Sequence, residues 1–448
     1  MKFRKLGRIA LATAASLFIG FGTQSCYYYT EAYIIVTGSQ YNQVASYREQ
    51  NQTGILTAAP HDPLSSGGNN PIRALLLNGG RYVYVLNQGT PKTNSDGSIT
   101  WSGASIALFS IGGDGSLSFQ QNFFSQGRGS LRLALSTTGN YLYVLDQYQP
   151  GGSDPNTTLA STTTSTATPC YDSTSGVYRP AGDITVFSID GSTGRLFLVQ
   201  NQQLQNSFGT PLTYFPLGCG AIDFHFLSSY LYTAENSDPN NPTAGAQVIY
   251  AYQANPTNGQ LTQVPGGSQP IPGATNIGVL GSSSNGNWLY VLDNGTNQIF
   301  TFTNGGGNGL LSAISTGAVA NAPSAAGMTA LTTDSGNKYF YVANAQSPSL
   351  GQSASVISAF DITPNTGTLT LFNANPANNT ATFPTGTTPV CIFEDPSHQY
   401  IYTANAGSNN ITGAKIDPNT GTLTNLSKGS TFATVGTPTW CLYSSNTD

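Results

Sequence analysis

The chain is a succession of short apolar segments separated by polar, glycine-rich turns, and one kind of segment recurs seven times. Each copy is led by an aromatic residue: YIIVTG from Tyr33, YVYVLN from Tyr82, YLYVLD from Tyr141, YLYTAE from Tyr230, WLYVLD from Trp288, YFYVAN from Tyr339 and YIYTAN from Tyr400. Alternating aromatic and aliphatic residues of this kind predict strands packed on both faces of a sheet. The second recurring element is a tight turn: QTGIL, GDGSL, STGRL, TNGQL, GNGLL, NTGTL and NTGTL, with glycines Gly54, Gly115, Gly194, Gly259, Gly309, Gly367 and Gly421. Glycine there supplies the positive φ of a hairpin turn. The two motifs alternate strictly. A further apolar segment precedes most of the aromatic-led strands, as Pro389-Val390-Cys391-Ile392-Phe393 precedes Tyr400. Four strands per unit, with units of 49 to 89 residues, is the size of a propeller blade.

The ends of the chain complete the pattern. The first unit lacks its inner strand, whereas Thr437-Pro438-Thr439-Trp440-Cys441-Leu442-Tyr443 reads as an inner strand with no blade after it. Placing it inside the first blade closes a ring and removes the open sheet edges. A solenoid would leave that segment unpaired. The expected fold is therefore all-β, a single seven-bladed β-propeller over 27–448, closed by a C-terminal strand that completes the first blade.

Composition adds a compartment. Lys2, Arg4, Lys5 and Arg8 precede an apolar run from Ile9 to Phe21, too short to span a bilayer but suited to a secretory signal over 1–25. Gly22-Thr23-Gln24-Ser25-Cys26 resembles a lipoprotein cleavage box, although Thr23 stands where such boxes usually carry Leu. Cys26 is the candidate for acylation, and ordinary cleavage nearby is the alternative. The protein is expected to be exported, to the periplasm, the outer membrane as a lipoprotein, or the exterior. Past the signal, 11 basic residues face 20 acidic ones, a balance near −9 without basic runs, which argues against nucleic acid. No other segment is apolar enough to cross a membrane, and a monomer is expected.

In a four-stranded meander the loop between second and third strands shares a face with the connection to the next blade. The long insertions fall there, at 88–103, 148–182, 201–217 and, more briefly, 347–353. Loops gathered on one rim of a rigid scaffold are where recognition of a protein or glycan is expected. The Ser/Thr-rich run 161–168 reads equally as a solvated loop. Cys170 and Cys219 lie on this face in neighbouring blades and are the candidate disulfide. Cys391 and Cys441 sit at matching positions of adjacent inner strands and could approach each other near the channel; two buried free thiols are the expected reading, and a pairing is left open.

The aromatic-led strands, the Pro-x-x segments before them and the DPNTGTL turn resemble the seven-bladed lactonase propellers, the family of 6-phosphogluconolactonase-like proteins that overlaps the YVTN-repeat propellers. The resemblance covers essentially the whole mature chain. It implies a small anionic lactone as substrate, hydrolysed at the channel mouth without metal or cofactor. The family's lactonases carry Arg-His and His-x-His elements on inner strands and an Asn-Glu after an aromatic-led strand. Here the inner segments read Gly129-Ser130-Leu131-Arg132 and Cys219-Gly220-Ala221-Ile222, without the histidine, and Glu235-Asn236 stands in the reverse order. Of three histidines, His61 and His398 read as surface residues and only His225 lies on an inner strand.

Arg73 and Arg132 each stand nine residues before their blade's leading tyrosine, hence at equivalent inner-strand positions of adjacent blades. Two guanidinium groups there would hold a carboxylate or phosphate, or stabilise a lactone's developing oxyanion. A structural role, each arginine bonded to a carboxylate or backbone carbonyl, is the competing expectation. Asp223, His225 and Glu235 are the candidate general bases. The chain carries no His-x-x-x-His, Cys-x-x-Cys or acidic calcium loop, and no metal site is expected. The alternative to an enzyme is a non-catalytic envelope scaffold that binds through its rim loops.

Overall fold

In the computed structural model, residues 29–93, 95, 99–150, 170–172, 177–179, 181–206, 208–218, 220–236, 247–345 and 355–445 are described. They form seven antiparallel sheets arranged as a ring, a seven-bladed β-propeller with no helix among the described residues. The inner strands are Pro71–Leu76, Arg128–Leu135, Ala221–Leu227, Ile277–Ser282, Met328–Thr333, Pro389–Glu394 and Pro438–Ser445. Each pairs outward with an aromatic-led strand. Pro438–Ser445 pairs with Thr30–Gly38 (Val36 opposite Cys441), so the chain's last strand completes blade 1 as its first lacks one. Hairpins at Thr90–Thr93/Ile99–Ser102 and Cys170–Asp172/Val177–Arg179 project from blades 2 and 3 at the positions of the long insertions.

The core is not one mass but seven interfaces, each a cluster of side chains shared by two neighbouring blades. These interfaces explain why the two sequence motifs alternate. The leading aromatic of each blade lies against the turn glycine of the next: Tyr33 on Gly115, Tyr82 on Gly194, Tyr141 on Gly259, Tyr230 on Gly309, Trp288 on Gly367, Tyr339 on Gly421, and Tyr400 back on Gly54. In five blades a fully buried tyrosine two residues further along donates its hydroxyl to the same glycine's carbonyl; blade 1 has Ile35 there, and Tyr290 of blade 5 does not make the bond. Tyr84 bonds Gly194 at 2.7 Å, Tyr143 bonds Gly259 at 3.2 Å, Tyr232 bonds Gly309 at 3.1 Å and Tyr341 bonds Gly421 at 2.8 Å. Glycine is required twice over at Gly259: φ is +72°, and a Cβ would stand 2.5 Å from the Tyr141 ring. The G259A variant is expected to unfold about 2 kcal/mol more easily, from the left-handed backbone plus the displaced ring. Equilibrium urea denaturation checks this; an unchanged midpoint would contradict the contact's importance.

At the closing interface Tyr402 keeps the bond to Gly54 O (2.8 Å) and also meets Glu49 Oε1 at 2.8 Å. One phenol proton cannot serve both acceptors, so a protonated Glu49 donating to Tyr402 satisfies the pair. Glu49 is fully buried, and burial, reinforced by Asp395, pushes its carboxyl up to about 9. The folded state therefore retains a proton that the unfolded chain releases near pH 4.5. Stability from this group is complete below that pH and is lost as pH climbs toward about 9. E49Q, which keeps the donor at every pH, is expected to gain about 1–2 kcal/mol near pH 8 and almost nothing near pH 4.5. Urea unfolding at both pH values reads the difference; a gain independent of pH would mean that Glu49 is ionised in the fold.

The expectation of free thiols at Cys391 and Cys441 is corrected: they form a disulfide, with Cα atoms 5.7 Å apart. They are also not at matching positions. Register puts Cys391 opposite Ala404 and Cys441 opposite Val36, one place further along its strand than the residue equivalent to Cys391, which is Trp440. That offset turns the two sulfurs toward each other across the blade 7–blade 1 seam. The N-terminal signal, Cys26, the run 161–168, Cys219 and the Cys170 side chain lie outside the described residues. Among those described, no helix is long and apolar enough to cross a membrane.

Candidate functional site: the central channel

Every inner strand carries a β-bulge near its start, where one residue has no partner on the aromatic-led strand: Ile72, Leu131, Ile222, Gly278, Thr329, Val390 and Thr439. The extra residue twists the strand and re-aims the side chain after it. The residues that follow are Arg73, Arg132, Asp223, Val279, Ala330, Cys391 and Trp440, one per blade. Asp223 thus shares the ring position of the two arginines. Spacing concealed this, since Asp223 precedes Tyr230 by seven residues instead of nine: the turn of blade 4 is shorter, with Ser228 at φ 58°.

Arg73, Arg132, Asp223 and His225 line one cavity of about 510 Å³ in the channel, together with Phe224, Phe226, Trp440 and Tyr443. The two arginines do not act as a pair. Arg132 turns to blade 4, where its Nε is 2.5 Å from Asp223 Oδ1 and its Nη1 donates to Leu131 O at 3.3 Å. Asp223 is buried and further held by the amides of Phe224 and Leu280, each at 2.9 Å. Those bonds engage both of its oxygens and make it an anchor for Arg132 more than a base. Arg73 turns the other way, its guanidinium stacked 4.2 Å above the Trp440 ring and its Nη1 donating to Ile72 O at 2.8 Å. Its Nε is buried without a partner, and among the described residues it has no carboxylate neighbour. A cation held this way, in a cavity with apolar walls, is a ready anion contact.

His225 Nε2 lies 2.9 Å from Ser282 Oγ of blade 5. Burial holds its imidazole below the ordinary histidine range, against the pull of Asp223, so the ring is neutral at neutral pH and free to take a proton. Ser282 and Trp440 carried no signal in the sequence that marked them as site residues; each is recognised only by what the neighbouring blade places beside it.

Glu235 is not brought to the channel. It lies one residue before the end of the aromatic-led strand of blade 4, accepts from Thr233 Oγ1 at 2.9 Å and lines a separate cavity of about 380 Å³ with Gly218, Tyr250 and Tyr252. Burial pushes its carboxyl up to about 8, partly offset by bonds from Thr233 and the Gly218 backbone. Equivalent polar residues close the same corner elsewhere: Asn87 bonds Ser66 O at 2.9 Å, and Asp293 accepts the amides of Thr275 and Asn276 at 3.2 and 2.6 Å. Glu235 therefore ties the incoming linker to its blade. His61 is exposed, and so is His398, which pairs with Glu394 at 3.2 Å.

The sequence profile described as "Lactonase, 7-bladed beta-propeller" matches residues 240–443. No curated protein matches the chain by sequence. Among solved structures, a candidate 6-phosphogluconolactonase from Bacteroides fragilis superposes with a TM-score of 0.63 at 17% identity, covering 92% of this chain and 98% of that one. The periplasmic gluconolactonase of Pseudomonas aeruginosa gives 0.63 at 15% identity, covering 92% and 99%. A Lactobacillus plantarum protein gives 0.62 at 15%, covering 93% and 99%. At these identities the likeness is one of fold.

Proposed function

We propose, taking the chain as a seven-bladed propeller of the lactonase family, that it is an exported hydrolase of a small anionic lactone, working in the central channel without metal. The observation that carries this reading is Arg73: a guanidinium set on Trp440 and lining the 510 Å³ cavity with no ion pair to a carboxylate among the described residues. It would bind the substrate's carboxylate or phosphate, or the oxyanion that develops when the ring carbonyl is attacked. His225, neutral and oriented by Ser282, would take the proton of the attacking water and return it to the ring oxygen as the C–O bond breaks. Arg132 and Asp223 shape the cavity through their ion pair. Export is supported by the Cys391–Cys441 disulfide, which belongs to an oxidising compartment, and by the signal-like N-terminus.

The test is proton release from a panel of lactones, 6-phosphogluconolactone included, by purified mature protein. Turnover with an acid limb below the ordinary histidine range is the expected result. No turnover above the spontaneous rate would replace this reading by the second one, a binding scaffold. That reading is favoured by the aromatics left in solvent on blades 2 and 3, Phe124 at 63% and Phe208 at 90% exposure, beside the inserted loops.

A further inference from the structure

Away from the channel, blade 3 contains two carboxyl groups that no other part of the fold explains. Asp146 and Asp183 face each other in register on adjacent strands, Tyr141–Tyr148 and Asp183–Ile189, and both are fully buried. The hydroxyls of Ser125, Ser130 and Thr185 all donate to Asp146. Neither oxygen of Asp183 has a hydrogen-bond partner. Gly127 closes over the pair so tightly that a Cβ on it would stand 2.2 Å from Asp183 Oδ1 and 2.4 Å from Asp146 Cβ.

The other blades show what is unusual. The same two cross-strand positions hold Gly38 and Gln43 in blade 1, Asn87 and Ser105 in blade 2, Glu235 and Val248 in blade 4, Asp293 and Gln298 in blade 5, Asn344 and Val356 in blade 6, and Asn405 and Asn410 in blade 7. None of those pairs contains two acids; of the two single acids, Asp293 is met by backbone amides and Glu235 by the Thr233 hydroxyl. In blade 3 two groups that only accept when ionised are set face to face, with three hydroxyl oxygens around them. Arg128, at the start of the neighbouring inner strand, attracts Asp183 but does not hydrogen-bond it. Burial, then the charge of Asp146, raises Asp183 well above the usual carboxylate range.

We infer that Asp146 and Asp183, with the hydroxyls of Ser125, Ser130 and Thr185, form a binding site for a hard divalent cation of the calcium class. The donors are all oxygen, which suits calcium and disfavours metals that prefer nitrogen or sulfur. Among the described residues no cluster of three His, Cys, Asp or Glu exists, so the site relies on two carboxylates and neutral oxygens. Such a set fits the weak, millimolar affinities useful outside a cell. Its place is structural: Asp183 opens the strand that leaves the 148–182 insertion, and Asp146 lies two residues before the end of the strand that enters it. Occupancy would fix the root of that insertion. The site is independent of the channel and of the lactonase reading.

Terbium, which replaces calcium and is excited through nearby aromatic rings, tests it on the whole mature protein. Saturable terbium emission from one site is expected, displaced by calcium, together with a melting temperature several degrees higher in millimolar calcium than in EDTA. Both responses should vanish in D183N, which supplies the missing donor and folds without the cation. Absence of saturable emission and of any calcium-dependent melting shift in the wild type overturns the proposal, whatever the variant does. Emission and shift that persist unchanged in D183N overturn it equally, because the cation would then sit elsewhere.

Discussion

Replacing Arg73 by alanine is expected to lower kcat/KM for the channel's substrate by at least about 100-fold while leaving the melting temperature nearly unchanged. The asymmetry follows from what Arg73 touches. Its bonds within the fold are a stacking contact with Trp440 and one bond to Ile72 O, on a side chain that reaches the cavity, so truncation leaves no buried charge behind. Arg132 is the contrasting case. Its removal strands the buried carboxylate of Asp223, which should cost about 3–5 kcal/mol of stability. Lactone turnover, or binding of a carboxylate or phosphate product, measured beside thermal melting separates the two. If R73A retains wild-type turnover, the anion contact lies elsewhere; if R132A melts like the wild type, the ion pair is not structural.

The second large effect concerns the seam. Removing the Cys391–Cys441 disulfide in a double alanine variant is expected to lower the unfolding free energy by about 4 kcal/mol, the loop-closure entropy of a bridge between residues 50 apart. For a domain of this size that is a fall of about 5 °C in melting temperature. The bridge does more than shorten a loop. It joins Pro389–Glu394 of blade 7 to Pro438–Ser445, the one inner strand of blade 1, which arrives from the other end of the chain. A propeller opens where its ring is closed by pairing of the two ends, so the amides of Pro438–Ser445 should exchange fastest in the variant. Hydrogen exchange resolved by segment checks this. Unchanged melting together with unchanged exchange of that strand would show that the hydrogen-bonded seam suffices alone.

The sequence-based reading and the structure part company at identifiable residues. Arg73 and Arg132 do occupy equivalent positions, as counting from the leading tyrosine implied, but equivalence within a blade says nothing about direction around the ring. One turns to Trp440 and the other to Asp223. Asp223 escaped the count because a shortened turn changed its spacing while its register opposite Ala234 stayed that of the two arginines. Glu235, only a few residues from the channel strand along the chain, is held at the blade's corner by Thr233 and Gly218. Cys391 and Cys441 read as free thiols at matching positions, but a one-residue offset in register lets them bond.

Strands, turns and their number were legible because they rest on local rules: period-two burial, aromatic and β-branched preference, and the positive φ that glycine allows. The closing of the ring was legible too, since a missing strand at one end and a spare one at the other leave a single way to pair every edge. What the sequence alone did not determine is which side chains share a cavity. That depends on bulges that re-aim a side chain, on turns that alter spacing without altering register, and on contacts between blades whose residues stand tens to hundreds of positions apart. Tyr402 on Gly54 and Arg132 on Asp223 are such contacts. They arise only once seven sheets are packed face to face around a common channel.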